Sequence, residues 1–151
     1  ARVAWAAGVA REAGATTLAA FVNVVAHDDV DIARTLASGG MSTFARFSVM
    51  DGQVRSPIDE ESKQVLQQVH GVYDMGGHTR TGSSQSEALS ADFIDRFGIV
   101  GPPDHCVARL RALIELGVDK LVIVGPSLGA DPDESRRAAN AFAAEVLPAL
   151  R

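Results

Sequence analysis

Apolar positions recur along this chain at two different spacings. Val3, Ala6, Ala7 and Ala10 share one helical face and Gly14 follows as a stop, so residues 1–13 read as a helix. No capping residue precedes it, so it reads as the continuation of a longer chain. Residues 18–26 (LAAFVNVVA) are apolar on both faces, the pattern of a buried strand of parallel type. Asp28 or Asp29 then caps a helix to about Phe47, with Ile32, Leu36 and Phe44 inward and Gly39-Gly40 as a weak point. After a turn region at residues 51–57, a helix from about Asp59 to Asp74 carries Val65, Leu66, Val69 and Val72 on its apolar face. Residues 75–86 (MGGHTRTGSSQS) form a polar loop, and Ser90 caps a short helix over Ala91–Phe97. Gly101-Pro102-Pro103 opens a helix to Leu116, closed by Gly117, with Cys106, Leu110, Leu113 and Ile114 inward. Lys120–Val124 (KLVIV) is a second apolar strand. Asp131-Pro132-Asp133-Glu134 starts a last helix to about Leu147, packing Ala139, Phe142, Ala143 and Val146.

Helices flanking buried apolar strands place the chain in the α/β class with a parallel sheet. Two such strands cannot bury both faces or hide their edges. The sheet is therefore expected to be completed by another copy, in a homo-oligomer, or by the rest of a larger barrel or sheet. The length, 151 residues, suits one domain, and 46% hydrophobic against 22% charged residues excludes global disorder. The net charge is −5 and no basic run occurs, which argues against nucleic acid as a partner. No apolar stretch approaches the ~18 residues of a membrane span, so no membrane partner is expected, and a cytoplasmic location is the default. The single cysteine excludes a disulfide framework, and no His/Asp/Glu trio has metal-site spacing, so no metal is expected.

Three places carry candidate chemistry. His78 and Arg80 lie among glycines and small hydroxyls, a combination that suits phosphate or carboxylate as well as it suits a solvated surface loop. Gly125 and Ser127, in Gly125-Pro126-Ser127-Leu128-Gly129, follow a strand and precede a helix start, a setting that favours an anion, although the segment also reads as an ordinary connection. His27 stands at the exit of the first strand, where it is either a substrate contact or a partner in the helix cap beside Asp28. Cys106 reads as a packed thiol, His70 and Tyr73 as a surface stripe, His105 as exposed, and Trp5 as cover for an apolar seam.

Several motifs resemble the bacterial luciferase-like monooxygenase family. They are Phe97-Gly98-Ile99-Val100-Gly101-Pro102-Pro103, Val107 with Arg109-Leu110, Glu115-Leu116-Gly117-Val118-Asp119-Lys120-Leu121, and the ending Glu145-Val146-Leu147-Pro148-Ala149-Leu150-Arg151. Residues 1–47 resemble it too, and the branch similar to methylenetetrahydromethanopterin reductase fits best. The resemblance implies a (β/α)8 TIM barrel of which residues 1–151 form the C-terminal segment of one domain. Residues 18–26 would be its seventh strand, Lys120–Val124 its eighth, and residues 48–97 a helical insertion between them. It further implies an oxidoreductase using FMN or a deazaflavin coenzyme, for hydride transfer or monooxygenation of a small organic substrate. His78, Arg80, Gly125 and Ser127 would hold the coenzyme, and Asn23 and His27 the substrate; no catalytic residue is assigned. The other readings are a non-catalytic half-barrel or cofactor-free paralogue acting by association, and a small anion-binding α/β module.

Overall fold

The computed structural model describes residues 2–151. Three parallel strands, β1 (Ala19–Ala26), β2 (Ile99–Gly101) and β3 (Lys120–Val124), form one sheet in the order β2-β1-β3. Between and around them run α1 (Arg2–Glu12), α2 (Val30–Phe47), α3 (Glu60–Val72), α4 (Ser84–Glu87), α5 (Ala91–Phe97), α6 (Pro103–Glu115), α7 (Pro132–Ala141) and α8 (Leu147–Ala149).

The first strand sits in the middle and serves its neighbours at different heights. Its lower part pairs with β3, from Ala19 opposite Lys120 to Asn23 opposite Val124. Its upper part pairs with β2, with Val24 opposite Ile99 and Ala26 opposite Gly101. Strand β2 was not foreseen: three residues give no readable alternation, and the prolines that follow draw attention to the helix they start. Its Val100 is buried with Val25, and its Ile99 with Val24.

Period-2 alternation along β1 divides the core into two layers. Val25 packs with Leu36, Met41 and Ala45 of α2, Leu66 and Val69 of α3 and Phe93 of α5. Val24 and Ala26 face the other way, into Cys106, Val107 and Leu110 of α6 and Val146. Helices therefore cover both faces of the upper half of β1, where residues 23–26 are buried, whereas the buried strands expected from sequence are not realised lower down: Ala19 and Phe21 are exposed and β3 has no buried residue. Residues 48–97 build α3, α4 and α5, all of which pack on α2.

The capping chemistry in the sequence is realised. Asp29 accepts from the N–H groups of Asp31 and Ile32, Asp59 from Ser62, Ser90 from Phe93, and Asp131 from Asp133 and Glu134. The last helix differs from its expected face. A π-helical turn at Phe142–Val146 inserts one extra residue per turn, so Ala138 and Val146 are buried while Ala139 and Ala143 are exposed. Ile114 and Val72, expected inward, are also exposed, each at the end of its helix beyond the contact zone. Trp5 is partly exposed, and α1 has no buried residue.

Candidate functional site

A cleft of about 620 Å³ opens at the C-terminal end of β3. It is lined by Gly40, Thr43 and Phe44 of α2, by residues 124–129, by Thr79, and by Ser135 and Arg136 of α7. Of the residues singled out by sequence, Gly125 and Ser127 line it directly.

Ser127 fixes the connection after β3 against α2. Its N–H donates to the Leu36 carbonyl at 2.7 Å, and its Oγ accepts from the Gly40 N–H at 3.0 Å. An uninterrupted helix pairs those two groups with each other across one turn. Ser127 bonds both, and so docks a loop onto the middle of an 18-residue helix.

The two glycine-rich segments meet. Thr81 N–H donates to the Leu128 carbonyl at 3.1 Å, and Leu128 N–H donates to the Thr79 carbonyl at 3.0 Å, a parallel bridge between Arg80 and Leu128. The contact depends on Gly39, since a Cβ there would lie 2.5 Å from the Arg80 carbonyl carbon and 2.7 Å from Thr81 N. What composition marks as a weak point in the helix is a seat for the loop. Thr79 takes φ 61°, the one non-glycine residue with positive φ among the described residues. Such a conformation persists where the surroundings over-determine it. Here its N–H bonds Thr43 Oγ1 at 3.3 Å while its carbonyl takes part in the bridge. Gln85, fully buried, clamps the loop's base by donating to the Asp74 carbonyl at 2.9 Å.

Arg80 lays its guanidinium over Gly129, with Nη2 3.6 Å from where a Cβ would stand. It makes no ion pair among the described residues. His78 turns to Tyr73 instead, its Nδ1 hydrogen-bonded to the Tyr73 hydroxyl at 2.6 Å, and that hydroxyl lies 3.4 Å from Thr43 Oγ1. Tyr73 is thus bonded to the loop rather than being part of a surface stripe with His70. Asn23 stands behind Gly40 at 5% exposure, and its Oδ1 has no hydrogen-bond partner.

His27 is not brought to the cleft lining. Its Nδ1 accepts from the Asp29 N–H at 3.0 Å, so Nε2 carries the proton and donates to Glu134 Oε2 at 3.0 Å. It braces the end of β1 to the first turn of α7. Cys106 is a core thiol within reach of the Gly101 and Val25 carbonyls, and burial pushes it up to about 11, which removes it as a nucleophile at neutral pH. Thr43, Phe44 and Thr79 were missed as site residues. Phe44 carries an ordinary core signal, and the other two become visible only when the loop is seated on α2.

The fold has a solved counterpart. The chain is similar to the coenzyme F420 dependent tetrahydromethanopterin reductase of Methanopyrus kandleri, with a TM-score of 0.59 and 22% sequence identity. The match covers 99% of this chain and 42% of the reductase, so this chain spans less than half of that protein's length. No protein-family model matches the sequence, and no curated protein matches it. Among the described residues no helix is long and apolar enough to cross a membrane.

Proposed function

We propose that this chain supplies one end of the coenzyme and substrate site of a flavin- or deazaflavin-dependent oxidoreductase of luciferase-like type. The observation that carries the reading is the bridge between residues 79–81 and Leu128, which sets two glycine-rich segments side by side at the cleft with the Arg80 guanidinium uncommitted above Gly129. The similarity in fold to a reductase named for its deazaflavin coenzyme supports the same reading.

In this reading β1 and β3 are the seventh and eighth strands of a TIM barrel, residues 48–97 are an insertion that brings the loop of residues 78–83 over the site, and β2 extends the upper edge of β1. Phosphate sites in such barrels often follow the last two strands. The residues present fit an anionic coenzyme tail: Arg80 offers charge, the Ser127 hydroxyl and the backbone of residues 125–129 offer small polar groups, and Gly129 allows close approach. When bound, the coenzyme supplies the hydride-carrying ring; the protein orients it and excludes water. His78, held by Tyr73, steadies the loop that carries Arg80.

Titration of the protein with FMN and with a deazaflavin coenzyme, followed by absorbance and fluorescence, tests the reading. Arg80→Ala is expected to weaken binding roughly 10- to 150-fold, the worth of a charge-assisted hydrogen bond, with little change in thermal midpoint. Absence of binding of either coenzyme at high micromolar concentration returns the chain to a non-catalytic α/β module.

A further inference from the structure

Residues 77–80 make a tight turn. Arg80 N–H donates to the Gly77 carbonyl at 3.1 Å, with His78 at φ −54°, ψ 127° and Thr79 at φ 61°. That is the type II pattern, whose third residue must take positive φ and is ordinarily glycine or asparagine. Here it is threonine, and a branched Cβ makes that conformation most costly. Glycine would form the same turn without strain. The chain places glycine at positions 76, 77 and 82 around this point, yet at position 79 it keeps a side chain. Strain retained where the usual residue would remove it points to a use for that side chain.

Thr79 is partly exposed and lines the cleft. Its backbone is committed elsewhere: the N–H donates to Thr43 Oγ1, and the carbonyl accepts from the Leu128 N–H. The side chain is the part left to meet a ligand. Its hydroxyl proton goes to the His78 carbonyl at 2.7 Å, so toward a ligand Oγ1 can only accept. Ser127, next to Leu128 in the same lining, is the reverse case. Its Oγ accepts from the Gly40 N–H at 3.0 Å, a bond that leaves the hydroxyl proton free to donate. An acceptor on one segment and a donor on the other match the two halves of an alcohol group. An ether or a carbonyl would engage Ser127 alone, and an ammonium Thr79 alone. Arg80 is the next residue along, and its guanidinium lies over Gly129.

We propose that Thr79 is a specificity-determining residue of this cleft. With Ser127 it reads an alcohol group carried beside the anionic group that Arg80 holds. The ligand class is an anion bearing a neighbouring hydroxyl, as in a polyol phosphate. The strained turn is the cost of having a hydroxyl at this point of the wall. The inference rests on the reading of Arg80 as the anion-binding group, but not on which coenzyme the protein uses.

Two measurements on the full chain test it. Glycerol 3-phosphate and n-propyl phosphate share a carbon chain and a phosphate and differ in their hydroxyls. Each is titrated while the Thr79 and Ser127 backbone amide resonances are followed. The wild type is expected to bind glycerol 3-phosphate at least ~10-fold more tightly, because a site built around a hydroxyl rejects the analogue that lacks it. Thr79→Gly is expected to abolish the difference while still binding both phosphates, and Thr79→Ser, which keeps the hydroxyl, to preserve it. Thr79→Gly is also expected to raise the thermal midpoint by a few degrees as the turn relaxes. Equal responses of the wild type to the two probes, including no response to either, overturn the proposal. So does a Thr79→Gly variant that still discriminates, or one whose midpoint is unchanged or lowered, since threonine would then serve the turn and not the site. Displacement of glycerol 3-phosphate by FMN or a deazaflavin coenzyme assigns the alcohol to the coenzyme, and joint binding assigns it to the substrate; both keep the role of Thr79. A failed coenzyme titration with probes that still discriminate removes the oxidoreductase reading and keeps that role too.

Discussion

At the scale of single residues, the glycines of α2 show how propensity and packing can point in opposite directions. Helix propensity alone says that Gly39→Ala should stabilise α2 by up to about 1 kcal/mol. The added Cβ would press on the backbone of Thr79, Arg80 and Thr81, and backbone cannot move aside as a flexible side chain does. Overpacking of this kind costs ~1–3 kcal/mol, so the net effect is expected to be destabilising. Gly8 of α1 is the control: nothing lies within 4 Å of a Cβ there, and Gly8→Ala is expected to stabilise by ~0.5–1 kcal/mol. Urea denaturation of the two variants checks both signs. A stabilising Gly39→Ala would show that the loop is not seated on the helix.

At the scale of elements, ion pairing joins α5 to α2. Arg34 grips Asp95 with two bonds, Nε to Oδ1 at 2.9 Å and Nη2 to Oδ2 at 2.6 Å, and also pairs with Asp31. The Arg34 guanidinium, chiefly by hydrogen bonding, holds the Asp95 carboxyl below the usual carboxylate range. A carboxyl depressed in the folded state stabilises the protein above its unfolded pKa of ~3.9, and that contribution disappears as pH falls through the depressed value. Asp95 is 40% exposed, so solvent screening limits the pair to under about 1 kcal/mol. The stability difference between the wild type and Asp95→Asn is thus expected to be small but present at pH 6 and to vanish as the pH falls through the depressed Asp95 value. Denaturant titrations across that range decide the point; a difference that persists in acid would assign the effect to packing.

At the scale of the whole molecule, periodicity and capping made most elements legible in the sequence. Asp29, Asp59, Ser90 and Asp131 mark helix starts through short-range hydrogen bonds, and short-range chemistry is what a sequence displays. Sheet order is a long-range property. Nothing local to Ile99–Gly101 reveals that it pairs with the upper part of β1, or that residues 79–81 bridge Leu128. Gly125 and Ser127, which line the cleft, were legible as candidates because they follow a strand end, whereas Asn23 lies within β1 behind Gly40 and the seating of the loop on Gly39 required the fold. The sheet leaves an open edge where β2 stops short of Ala19–Asn23, and Phe21, Phe47 and Met50 are each more than half exposed. If β1 is an inner strand of a barrel, that edge is a pairing surface. The isolated chain is then expected to associate with concentration in sedimentation experiments, and Phe21→Lys to reduce the effect. A compact monomer at all accessible concentrations would favour a sheet that closes on itself.

The splice of Ser127 into α2 also makes the helix a reporter. A mid-helix amide is ordinarily protected from exchange with solvent deuterium by its own helix, and it opens only when the helix does. The Gly40 N–H donates as well to the hydroxyl of a residue 87 positions away. Its exchange rate is therefore expected to respond to the loop that follows β3 as well as to the opening of α2. Any molecule that settles into or leaves the cleft will register there, as a change in protection at one amide in the middle of an otherwise quiet helix.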